Sequence, residues 1–149
     1  MSAQKMIAHA RTFLGTRWRH RGRNRKGLDC VGLLILSVNA AGLGVADADH
    51  YGRDPWEDRL REELRQRFGA PIWVRGEDSD VDWEPGDVAV ITWNAKDPSH
   101  VGLIGDHLFG GLSLIHCENI NGCVEHSLSG HFTDIVMEVY RPWPVKSSQ

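Results

Sequence analysis

The chain has 149 residues, 41% of them hydrophobic and 25% charged, with a formal net charge of −3. These values fit one compact globular domain, long enough to bury roughly 70% of the surface its unfolded form exposes. Three cysteines argue against a disulfide framework, leaving a single bridge, Cys117–Cys123, as the conceivable pairing.

Residues 3–14 are predicted to form a helix, with Met6, Ile7, Ala10, Phe13 and Leu14 on one face and Gly15 as its stop. This opening stretch lacks the continuous apolar core of a signal peptide. No run in the chain nears the roughly 20 apolar residues of a membrane span. Synthesis in the cytoplasm is therefore expected, with delivery elsewhere depending on another carrier.

Charge is unevenly spread. Residues 1–28 hold eight Lys or Arg and no acid, whereas residues 46–87 hold thirteen acids against six Arg. The basic extreme is the polar loop "RWRHRGRNRK", Arg17–Lys26. It is either a surface for an anionic partner or a solvated loop. It has no base-reading motif, so nucleic acid is not the expected partner.

Residues 30–41 follow as a second helix, apolar nearly all round and therefore buried, with Gly42 and Gly44 ending it. Residues 45–56 look irregular. A charged helix is predicted over about Trp56–Phe68, lying at the surface. "EPGD" (Glu84–Asp87) then makes a turn. Five short strands come next: Asp87–Trp93, His100–Gly105, Leu112–Glu118, Cys123–Leu128 and Asp134–Arg141. Asn121–Gly122 is a two-residue hairpin signal. Helices first and an antiparallel meander second is an α+β pattern, in one domain spanning residues 1–149.

Cys30 opens the buried helix, with Asp29 as its expected N-cap. The helix dipole and unpaired N–H groups at that position would lower a thiol's pKa and receive an oxyanion. Gly32 would leave room beside the sulfur for a substrate backbone. The plain alternative is a small buried hydrophobe. A nucleophilic thiolate needs a histidine base, and that base needs an orienting group. His100 and His116 begin and end strands that can lie side by side, with His100 as base and His116 holding its second ring nitrogen. The other six histidines, His126 among them, read as background. "HCENINGCVEH" offers His116, Cys117, Cys123 and His126 to a metal, with Cys117 opposite His126 across a two-residue turn, but the spacing is not the close cysteine pair that zinc sites prefer. No metal is expected.

"LDCVGLL", "GDVAVITW", "SHVGLIG" and "LIHCE", in that order, resemble the landmarks of the NlpC/P60 cysteine peptidases. The opening "ARTFLGTRWRHRGRNRKGLDCVGLL" resembles in particular the phage and gene-transfer-agent branch of that family, whose members belong to tail machinery. The resemblance implies a papain-like fold, with the catalytic cysteine heading a helix packed on an antiparallel sheet. It maps the nucleophile to Cys30, the base to His100 and the third polar residue to His116. It implies cleavage of peptide bonds in peptidoglycan stem peptides, without a cofactor, and tail-tip or hub proteins as partners in a virion. Asp29, Trp18, Arg19 and Val31 fall at positions implied to meet substrate. Val31 stands where many cell-wall members have Ser, and "LGTRW" stands where many have an "LGTPY"-type motif with an aromatic hydroxyl. Two rivals are a structural tail-tip or hub protein with dispensable catalysis, and a thiol amidase or acyltransferase.

Overall fold

The computed structural model describes residues 2–47, 51, 59–93 and 98–143. Three helices precede most of the sheet: α1 (Ser2–Arg11), α2 (Cys30–Ala40) and α3 (Leu60–Phe68), with a small ribbon, β1 (Arg23–Asn24) and β2 (Gly27–Leu28), between α1 and α2. The main sheet is built from β3 (Trp73–Val74), β4 (Val88–Thr92), β5 (Pro98–Asp106), β6 (Leu112–Glu118), β7 (Gly122–Ser127) and β8 (Val136–Tyr140), and a single-turn helix, α4 (His131–Asp134), precedes β8. The strand order is β3-β8-β4-β5-β6-β7, antiparallel throughout. This is the expected α+β arrangement. The ribbon, β3 and α4, pieces of two to four residues, are too short to show a period in the sequence.

Strand alternation sorts side chains to two faces. Val88, Val90, Val101, Leu103, Ile115 and Cys117 join Leu33, Leu34 and Val38 of α2 and Met6, Ile7 and Ala10 of α1 in one core. Ala89, Ile91, Ile104, Leu114 and Val136 face the other way, under Trp73, Trp83 and Phe132. α2 is apolar all round because neighbours bury it on nearly every side, as its composition predicts.

α3 begins at Leu60; the part of its expected span before Arg59 lies outside the described residues. It is anchored more firmly than its charge suggests. Leu60 and Leu64 are buried, and Arg61 and Arg65 both donate to Glu138, at 2.6 and 3.0 Å. Glu138 is 0% exposed and also accepts from the Tyr140 hydroxyl at 2.7 Å. A buried carboxylate is tolerable only when its lone pairs are filled in this way.

The β6–β7 hairpin departs from expectation. The observed register pairs Cys117 with Cys123 and His116 with Val124, so three residues, Asn119–Asn121, close the loop rather than two. β7 is held by a second neighbour: Cys123 N–H donates to Thr16 O and Gly15 N–H to Cys123 O, both at 2.9 Å. Gly122, at φ 75°, sits so close that a Cβ there would lie 2.4 Å from Thr16 O. The register slips by three, an odd number, and an odd slip moves a strand's side chains to the opposite face. His116 and His126 therefore share one face, with Cys117 and Cys123 on the other, and the four do not converge on a metal.

Candidate active site

α2 starts where Asp29 leaves the helical region, at φ −111° and ψ −175°, and its Oδ1 accepts from Gly32 N–H at 2.8 Å. This is the expected N-cap. The same carboxylate accepts from Arg23 Nη1 at 3.0 Å, from the Arg21 N–H at 2.9 Å and from the Tyr51 hydroxyl. Arg21 takes a left-handed φ of 59°, a strained choice for a side chain this size, and closing its N–H onto Asp29 holds it there. Asp29 is 3% exposed with both oxygens engaged, so it turns inward to the loop and not outward to a ligand. Tyr51, in a stretch with no recognisable pattern, gave no signal of this role.

The basic loop is stitched to the entrance of α2. Arg19 N–H donates to Leu28 O at 2.9 Å, and Leu28 N–H donates to Arg17 O at 3.1 Å. This places Trp18 and Arg19, both exposed, along the strand that leads into Cys30. Arg23 and Arg25 are committed to the chain itself: Arg23 to Asp29 and Asp47, and Arg25 to the Thr12 carbonyl and the Phe13 ring. Two expectations are corrected here. A Cβ on Gly32 would lie 2.3 Å from Gly22 O, so the missing side chain admits this loop and not a substrate backbone. Val31 is 0% exposed within the core and offers no surface to a ligand.

Cys30 is 4% exposed. Its thiol is pushed up to about 12, first by burial and then by the nearby Asp29 carboxylate. The backbone N–H groups of Val101, Val31 and Cys30 itself pull the other way. The lowered pKa expected of a helix head is thus overturned, because desolvation of an anion and a neighbouring negative charge outweigh the N–H groups. The Val101 N–H comes from β5, so the sulfur lies against the residue that follows His100.

His100 Nε2 lies 2.9 Å from His116 Nδ1, the expected pairing, and the two rings meet edge to face. A further contact was not foreseen: His116 Nε2 lies 2.8 Å from His126 Nε2. The two-residue turn assumed from the sequence would have put His126 on the Cys117 face, and the observed register returns it to the row. Trp93 covers His100 at 5.1 Å between ring centroids, and Phe132 lies 4.1 Å from His126. Burial, and then each ring's imidazole neighbour, lowers His100 to about 3 and His116 to about 4. The thiol and both of these imidazoles are therefore neutral at rest.

Neither a family model nor a curated protein matches the chain. Solved structures do. A NlpC/P60 family protein from Bacillus cereus ATCC 10987 superposes with a TM-score of 0.66 at 16% identity, over 97% of this chain. The fold is that of the NlpC/P60 proteins. The chain spans 41% of the length of that Bacillus cereus structure. The NlpC/P60 domain of the peptidoglycan hydrolase SagA also aligns, at a TM-score of 0.48 and 17% identity, over 94% of this chain and 98% of that one. No helix among the described residues is long and apolar enough to cross a membrane.

Proposed function

We propose that the chain is a cysteine peptidase that cuts peptide bonds in peptidoglycan stem peptides. The observation that carries this reading is a thiol at the head of a buried helix, packed against the strand start whose His100 is hydrogen-bonded to His116 at 2.9 Å. In the proposed reaction, His100 takes the thiol proton as the sulfur attacks the scissile carbonyl. The N–H groups at the α2 head receive the resulting oxyanion. His100 then passes its proton to the leaving amine, giving a thioester. Water, deprotonated by His100, releases the carboxylate product and restores the thiol. His116 orients the base. Trp18 and Arg19 line the approach, where a cation suits the carboxylates of a stem peptide. Asp29 shapes the site as a cap; we assign it no substrate contact.

We further place the enzyme in a phage-like tail, beside tail-tip or hub proteins; the likeness of the stretch through Leu34 to that branch supports this. The burial of the sulfur favours one alternative, a structural tail subunit with an idle site. Digestion of purified muropeptides separates the two. Wild type is expected to yield cut stem peptides by mass spectrometry, with Cys30→Ala reduced by roughly 10⁴-fold or more. Equal product from both proteins refutes the peptidase. No product from either, with normal particle assembly by Cys30→Ala and failed assembly when the domain is deleted, establishes the structural role.

A further inference from the structure

The row of imidazoles ends on a backbone carbonyl, and that end dictates where every hydrogen in the row must sit. His126 Nδ1 lies 3.0 Å from Ser127 O. A carbonyl oxygen only accepts, so Nδ1 of His126 carries a hydrogen, and in the neutral ring its Nε2 keeps a lone pair. That lone pair faces His116 Nε2 at 2.8 Å, which must therefore donate. His116 then keeps its lone pair on Nδ1, facing His100 Nε2 at 2.9 Å, which must donate in turn. His100 is left with a lone pair on Nδ1, its remaining ring nitrogen.

We infer that His126 is a positioning residue, which with the Ser127 carbonyl fixes the tautomers of His116 and His100 so that the base presents a free lone pair. This rests on the proposed role of His100 as the base for Cys30. A single orienting histidine does not suffice, because a lone His116 accepts or donates equally well through Nδ1. A third partner with a fixed end removes that ambiguity, as outer-shell partners do for metal-bound histidines. The surroundings suit the task. His126 is half-buried on β7, Phe132 covers its ring at 4.1 Å, and Phe132 and Trp93 both pack against His116, which limits competing water. The depression of His100 and His116 to about 3 and about 4 keeps both neutral at pH 7, the condition under which the chain of donors is defined.

Long-range 1H–15N spectra of protein labelled in its histidine rings test this directly. The expected wild-type pattern is Nε2–H on His100 and His116 and Nδ1–H on His126. His126→Gln keeps an oxygen to accept from His116 and should preserve both upstream tautomers. His126→Leu should convert them to mixtures. With muropeptides, His126→Leu should lower kcat roughly ten- to hundredfold with KM changed less than about twofold, and His126→Gln should restore most of the rate. Nδ1–H on His100 in the wild type overturns the inference, as does an unchanged His100 tautomer in His126→Leu. Should His126→Leu fail to fold, the wild-type and His126→Gln spectra still decide. The spectra need no substrate, so a chain that cuts no muropeptide refutes the peptidase and leaves this test standing.

Discussion

Where the sheet meets α2, its face is made of Val88, Val90, Val101, Leu103 and Ile115; on the reverse, the same strands carry His100 and His116 beside Trp93 and Phe132. Both faces are buried, but they hold by different means. The first is aliphatic, and its worth comes from area removed from water and from close packing. The second buries ionisable rings that are held neutral first by that burial and then by one another. Stability thus resides on one face, and sensitivity to acid on the other.

The largest effect belongs to the aliphatic face. Leu103→Ala should cost about 2–5 kcal/mol, measured by urea unfolding, and the cost should be the same at pH 8 and pH 5. A cost that changes with pH would mean the two faces are coupled. The histidine face gives the next effect. Free imidazoles ionise near pH 6.5, whereas folded His100 and His116 do so at about 3 and about 4. The unfolded chain binds more protons between those limits. Stability should therefore be complete above about pH 6.5 and fall by on the order of a few kcal/mol as pH drops toward 3. His116→Gln should flatten that fall; an equally steep curve in the variant would place the acid response elsewhere. The smallest effect is at the rim. Arg11 holds Glu125 through two bonds, at 3.0 and 2.8 Å, tying α1 to β7. Glu125→Gln should cost about 1 kcal/mol or less, and added salt should shrink the difference. A larger, salt-insensitive loss would make that strap part of the core.

The sequence carried the fold well where side chains repeat. The uniform apolarity of α2 and the β-branched runs of β4 to β6 marked a buried helix and a sheet, and β6 was delimited residue for residue as Leu112–Glu118. The spacing also paired His100 with His116. What escaped depends on partners remote in the chain. The hairpin register is decided by Gly15 and Thr16, over a hundred residues from β7, and His126 went unnoticed with it. Tyr51 and Trp93 gain their meaning from Asp29 and His100, and no local pattern announces such meetings. The thiol's environment is hidden from the sequence for a related reason. A helix head is visible in a sequence, but the depth at which it is buried is not.

The Asp29 carboxylate that fastens the start of α2 also discourages the sulfur beside it from ionising. A thiolate attacks peroxides and disulfides far faster than a protonated thiol does. A thiol buried beside that carboxylate is therefore slow to be oxidised while it stays protonated.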